Sequence, residues 1–464
     1  MNKMRKWVTK RAAVYGAGAV LAILPVLGGC AGGNAGDNAA SGSNSNDGGE
    51  PVTITYYTID SPDRTFVEQL IPDFEKKHPN IKVKVATAPY EQFDSKLQTM
   101  IAGGSAPDVT SHFGYGGFAE YYNKDMLLDL TDMLSEDGFK ASDYNIPDSV
   151  MDIYKVNGRT YGVPVNSYVT LMLYNKDLFD KANVPYPPSD YNDKSWTFDK
   201  MVEYAKKLTI LSDDPSKQQY GVDFTWAERD NKPLYFGAKT YSDDTWTNGG
   251  VPSETYFDSP ETIAAYHKFY DLIFKDNVSP TAEWSKSVAG QGGDPFVTGK
   301  VAMSVGGSWI LAGSNDFGFN VGVAAVPAGG NDKVRSILYV DPLFVLKDSK
   351  HPKEALQWIK YLIDTDVQKK SIELSGGNPP VNQVAAEDYY GHFNGVDAQD
   401  VKNVYQGAFA YGYESFNHLI TNYSQINDLF INEMQPIENG TKSIEEVMPG
   451  IQSKMNELLQ RSKK

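Results

Sequence analysis

The chain holds a single cysteine, Cys30, in 464 residues, which excludes a disulfide framework. Arginine is also scarce. After Arg11 only Arg64, Arg159, Arg229, Arg335 and Arg461 remain, and since the guanidinium is the preferred fork for phosphate and carboxylate, an anionic ligand is disfavoured. The six histidines (78, 112, 267, 351, 392 and 418) show no paired metal spacing, so neither a metal set nor a cofactor is expected. No G-x-S-x-G, P-loop or H-E-x-x-H pattern occurs. Positive charge is in short supply as well. The formal net charge is −16, and five basic residues sit in the first eleven positions, which carry no acid. Without them the net charge is about −21, the opposite of the basic face that nucleic-acid binding requires.

What is present begins with that basic start, MNKMRKWVTKR, followed by Ala12–Gly29 without a charged side chain. This order predicts an export signal over residues 1–29. The uncharged run could span a bilayer, but Gly16, Gly18, Pro25, Gly28 and Gly29 make a poor permanent helix. Leu27-Gly28-Gly29-Cys30 resembles the lipobox of bacterial lipoproteins. The resemblance implies that Cys30 carries the lipid, since several acyl chains on one residue anchor stably. Residues 31–50 have no aliphatic side chain larger than alanine and are expected to form a flexible leash. The expected location is the extracellular face of the cell membrane, held by that anchor.

Tyrosine is abundant, at 29, and aromatics reach 12%. Flat amphipathic rings suit a ligand with apolar faces and hydroxyl edges, which describes a sugar. About 410 residues beyond Glu50 are too many for one core, so two domains are expected.

Val52–Thr58 alternates as a strand. Phe66, Leu70 and Phe74 predict a helix over Pro62–His78, and Ile81–Val85 a second strand. A helix over Glu91–Ile101 ends at Gly103-Gly104, and a third strand follows Ala106-Pro107-Asp108. This alternation predicts an α/β fold with a mostly parallel sheet, whose ligand edge lies at the carboxyl ends of the strands. Tyr161–Val165 and Leu171–Asn175 read as extended pieces, and Pro352–Leu374 as one helix. Ser443-Ile444-Glu445-Glu446 is a capping box.

In order, "FEKKHPNIKVKV", "KLQTMIAGGSAPDV", "NGRTYGVPV", "LMLYNKDLF", "SWTFDKMVEYAKKLT", "FVTGKVAMSVGGSW", "FNVGVAAVPAG" and "EALQWIKYLI" through "SGGNPPV" resemble the extracellular solute-binding proteins of sugar-importing ABC transporters, the maltose-binding-protein-like family. The resemblance covers nearly all of residues 51–460. It implies a periplasmic-binding-protein-like clamshell of two discontinuous α/β lobes, residues 51–163 plus 327–376 and residues 164–326 plus 377–464. The chain would cross between them near Tyr161–Val165, Val321–Pro327 and Gly376–Val381. It further implies a monomer that takes a carbohydrate ligand and delivers it to ABC permease subunits.

Trp309, behind Gly306-Gly307-Ser308, is the leading ligand contact that the resemblance implies. Trp226 in "VDFTWAERD", Asp60 at the end of the first strand, and Phe113 and Tyr115 in the glycine-rich "SHFGYGG" loop accompany it. Asn166 and Tyr168 follow the first crossing, and Phe416 with Tyr411 and Tyr413 matches a late aromatic contact. Trp246, Trp284 and Asp341 are further candidates, and Asp108 is expected to order its loop. The alternatives are a peptide or polyol-phosphate binder, a sensor partnering a membrane kinase, and a surface glycoside hydrolase. The last needs two carboxylates across a scissile bond, and among 59 acids such pairs can be chosen anywhere.

Overall fold

Strand β1, Val52–Ile59, lies parallel to β2, Ile81–Ala88, in unbroken register from Val52↔Ile81 to Ile59↔Ala88. The computed structural model that shows this describes residues 51–462 apart from 115, 215–216, 247, 291–292 and 331–332. The expected signal, the Cys30 anchor and the leash therefore lie outside the described residues, as does Tyr115.

Strand β3, Val109–Thr110, also runs parallel to β1. Apart from a separate two-stranded ribbon of Lys155–Val156 with Arg159–Thr160, the remaining strands are β4 (Val163–Asn175), β5 (Asp223–Phe224), β6 (Met303–Gly307), β7 (Val321–Ala324), β8 (Ser336–Val345) and β9 (Gly412–Glu414). Together they form a nine-stranded sheet of order β2-β1-β3-β8-β4-β6-β5, with β9 on β8 and β7 on β4. Its outer pairs are parallel, but β8 runs antiparallel to β3 and β4, and β4 runs antiparallel to β6 and β7. The expected parallel pairing thus holds at the flanks and between β8 and β9, but not between the central strands. The centre is built by two long strands from remote parts of the chain, and local alternation of strand and helix carries no information about their direction. The two extended pieces at 161–165 and 171–175 belong largely to the single strand β4.

All ten residues of β8 are buried, as expected of a central strand covered on both faces. Pro342 inside it has no N–H for the ladder and sits at a register shift between Asp341 and Pro342. A shift of this kind re-aims the neighbouring side chain, here Asp341.

Two expected helices are broken. Residues 62–78 split into the helix Pro62–Thr65, a 3₁₀ turn Phe66–Gln69 and the helix Ile71–Lys77, with Pro72 in the first turn of the last. Proline lacks the N–H a continuous helix would use. Leu70 and Phe74 are nevertheless fully buried. Pro352–Leu374 becomes Pro352–Leu362 and Thr365–Ser375, because the Asp364 carboxylate accepts from the N–H groups of Asp366 (3.0 Å) and Val367 (3.4 Å) and starts a new helix. The first of these buries Ala355, Trp358, Ile359 and Leu362, with Trp358 edge-on to Phe74 at 4.9 Å. The capping box forms as expected: Ser443 N–H donates to Glu446 Oε2 at 2.8 Å, and Glu446 N–H donates to Ser443 Oγ at 3.3 Å.

One large apolar cluster covers the sheet. A second, including Phe257, Tyr266, Phe416, Phe430 and Met455, lies among the helices Pro260–Phe274, Tyr423–Glu438 and Ile444–Ser462. Among the described residues no helix is long and apolar enough to cross a membrane.

Candidate ligand-binding site

Trp309 follows β6 at the start of a 3₁₀ segment, Ser308–Asp316. Its side chain is 49% exposed, unusual for so large a ring. It lies edge-on to Tyr339 of β8 at 5.2 Å and to Tyr168 of β4 at 6.2 Å. A Cβ at Gly307 would fall 2.0 Å from the indole, so glycine there lets the ring lie against the backbone.

Near this aromatic group lie charged side chains, of which Asp341 is one of the further candidates while Arg64 and Glu228 were not foreseen. Arg64, from the short helix after β1, places Nη2 2.9 Å from Asp341 Oδ2, with both side chains nearly buried. Its guanidinium sits 4.6 Å from the Phe113 ring centre and 5.5 Å from that of Tyr168. Turned so that its oxygen faces Arg64, the Asn166 amide accepts from Nη1 at 2.9 Å and donates to the Val165 carbonyl. Burial opposes the charge on Arg64, but Tyr168, Asp341 and Asp63 more than offset it, and the guanidinium is held charged. Tyr168 donates to Asn378 Oδ1 at 2.8 Å, and Asn378 Nδ2 donates to the Asp63 carbonyl.

On the far side Glu228 Oε2 accepts from Tyr339 Oη at 3.0 Å and from Ser415 Oγ at 3.2 Å. Burial, then the Glu228 charge, pushes the Tyr339 phenol well above its ordinary value. Next to it His418 pairs through Nδ1 with Glu414 Oε1 and stacks on His112, centroids 3.8 Å apart. Burial lowers His418 to about 4 and raises Glu414 well above the usual carboxylate range. His112 is lowered well below the ordinary imidazole value by burial and by His418.

Of the expected contacts, the fold brings Trp309, Tyr168, Asn166 and Phe113 together around Arg64 and Asp341. Asp60 is exposed at the end of β1. Trp226 goes elsewhere: its ring is fully buried and donates through Nε1 to the Arg335 carbonyl at 3.0 Å, so it has no open face to offer a ligand. Its backbone takes φ +59°, a strained position for a bulky residue. It is held by N–H donation to the Val305 carbonyl at 2.7 Å and by Thr170 Oγ1 donating to its own carbonyl at 2.9 Å. Phe416 is likewise buried, edge-on to Tyr241 at 4.9 Å in the second core. Asp108 orders its loop, accepting from Thr55 N–H at 2.8 Å and from Ser349 Oγ at 2.6 Å.

Glycine in the 111–117 loop permits close approach. A Cβ at Gly117 would fall 1.8 Å from the Asn417 carbonyl oxygen and 2.6 Å from His418 Cα, so this contact seats the His112 loop against the His418 segment. Val381 N–H donates to the Val165 carbonyl at 3.4 Å, while Val321–Ala324 pairs with Met172–Asn175 of β4, outside the first expected crossing.

The sequence model of the bacterial extracellular solute-binding proteins matches residues 59–369. A putative binding protein of Brucella abortus is 24% identical over 90% of this chain and 95% of its own length. The multiple sugar-binding protein of Streptococcus mutans is 23% identical over 72% of this chain and 76% of its own length. Among solved structures, an ABC substrate-binding protein from Listeria monocytogenes in complex with cycloalternan superposes with a TM-score of 0.73. It is 26% identical and covers 89% of this chain and 100% of that one. The mixed α/β architecture is thus that of the periplasmic-binding-protein-like fold, and the chain belongs to the bacterial extracellular solute-binding protein family.

Proposed function

We propose that the chain captures a sugar or oligosaccharide in a cleft between two lobes, residues 51–163 with 327–376 and residues 164–326 with 377–464. The loaded monomer delivers its ligand to the permease subunits of an ABC importer. The observation that carries this reading is Trp309, half exposed beside Tyr168 and Tyr339, near Arg64, Asp341 and Glu228. An open indole face accepts the apolar face of a pyranose, while charged and amide groups take its hydroxyl edge. The sugar-binding relative and the cycloalternan-bound neighbour support the same ligand class. A ligand that touches both lobes favours the closed state by its differential affinity, roughly 5.5 kcal/mol taking closure from rare to nearly complete. Binding of this kind breaks no bond, and the chain is a carrier with no catalytic role. A lipid on Cys30, with residues 31–50 as a leash, holds it at the extracellular face of the membrane.

The test is a thermal-shift and tryptophan-fluorescence screen of the soluble part, residues 51–464, against mono- and oligosaccharides, peptides and polyol phosphates. At a hundredfold excess over the dissociation constant, mass action stabilises by about 2.7 kcal/mol. A response to one sugar class that is lost in Trp309→Ala supports the reading. A response confined to peptides or polyol phosphates overturns it.

A further inference from the structure

We infer that His112, His418 and Asp341 form a binding site for one divalent transition-metal ion such as zinc, a property that goes beyond carbohydrate capture. One ligand atom from each residue lies within 4.8 Å of the others, and all three side chains are buried. His112 comes from the loop after β3, Asp341 from the register shift in β8, and His418 from the short helix Phe416–Leu419. No spacing within the sequence joins them, and the Gly117 contact with Asn417 and His418 brings the first and last together.

A second observation points to a ligand. His112 is 4% exposed, yet neither ring nitrogen completes a hydrogen bond, although the Val340 backbone lies beside it. A buried imidazole with no more than a marginal contact to the Val340 backbone is costly, since its ring nitrogens forgo water. Glu414 Oε2 is buried and unsatisfied as well. A dication offsets this accumulation of buried acceptors directly.

The surroundings fit imidazole coordination. Two histidines and a carboxylate suit zinc and related ions, and three protein ligands leave a fourth position for water or a ligand hydroxyl. Glu414 on His418 Nδ1 is the outer carboxylate that fixes ring orientation in such sites. Arg64 engages Asp341 through Oδ2 and leaves the other oxygen for the ion. The rings stack face to face, 24° from parallel, so one of them must turn out of the stack for both nitrogens to reach one ion at about 2.0–2.1 Å.

The experiment titrates chelator-treated protein with zinc chloride, without sugar, by calorimetry. Crystals grown with zinc are then examined by anomalous scattering at the zinc edge. One ion per chain, a peak between His112 and His418, and affinity lost in His112→Gln and His418→Gln are expected. Glu414→Gln should weaken binding by about 10–100-fold, as removal of an outer-shell partner does. Absence of zinc binding, or a peak elsewhere, overturns the proposal. The anomalous peak keeps the test decisive where a variant fails to fold. Because no sugar is present, its failure leaves the carbohydrate reading untouched, and a chain that binds zinc but no sugar separates the two in the other direction.

Discussion

Arg64 and Asp341 meet at 2.9 Å between the rings of Phe113 and Tyr168, with side-chain exposures of only 13% and 10%. The pair joins the helix after β1 to the centre of β8, so one ion pair ties the floor of the candidate site to the sheet. Removing one partner of a buried pair strands the other charge. Arg64→Ala should therefore destabilise by about 3–5 kcal/mol. Arg64→Lys should recover only part of this, because an ammonium cannot serve Asp341 and Asn166 through one planar fork. Urea denaturation of the three proteins measures it, and an unchanged midpoint in Arg64→Ala would show that the pair contributes nothing.

The two candidate tryptophans should behave as opposites. Trp309→Ala removes an exposed ring, so ligand affinity should fall steeply while the melting temperature moves little. Trp226→Ala empties a fully buried site and should destabilise by about 3–5 kcal/mol. Parallel titration and melting curves decide this, and equal effects on both quantities in both variants would contradict the placement.

Glycine substitutions separate packing from binding. Gly117→Ala forces a methyl onto the backbone of Asn417 and His418, and overpacking of this kind costs about 1–3 kcal/mol. Gly307→Ala instead meets the Trp309 ring, which can swing away, so its main effect should be weaker ligand binding. Melting temperatures and dissociation constants for the pair should show this crossover.

Asp230 carries a pH signature. Burial raises its carboxyl from 3.8 to about 7, against the lowering effect of Tyr423. Tyr423 Oη donates to Oδ1 at 2.7 Å and Tyr241 Oη to Oδ2 at 2.9 Å. Because the folded value lies above the unfolded one, the folded state holds the proton more tightly. The stability associated with this group is full below about pH 4 and is lost as pH rises to about 7, by up to roughly 4 kcal/mol. Asp230→Asn cannot ionise, so its stability relative to the parent should climb across that window. A constant difference between the two pH profiles would remove Asp230 as the cause.

Much of this architecture is legible locally. The alternation of Val52–Thr58 and Ile81–Val85, the capping box at Ser443 and the apolar face of Ala355, Trp358, Ile359 and Leu362 each depend on neighbours within a few residues. Trp309 as a ligand contact rests instead on the family resemblance, together with the small residues before it. Breaks at Pro72 and Asp364 were open to local reasoning, since a proline and a capping carboxylate act on adjacent backbone groups. Trp226 shows the limit: its sequence surroundings resemble those of a cleft residue, and only the position of Arg335 turns its N–H inward.

The order of strands and helices, and the residue types able to hold a sugar, follow from short-range backbone and side-chain preferences already written in the chain. The antiparallel pairing of β4 with β8, the Arg64–Asp341 bridge and the His112–His418 stack do not. Each joins segments far apart in the chain. Which distant groups meet is set by the return path of the backbone and by the need to partner charge removed from water, and no local pattern encodes that choice.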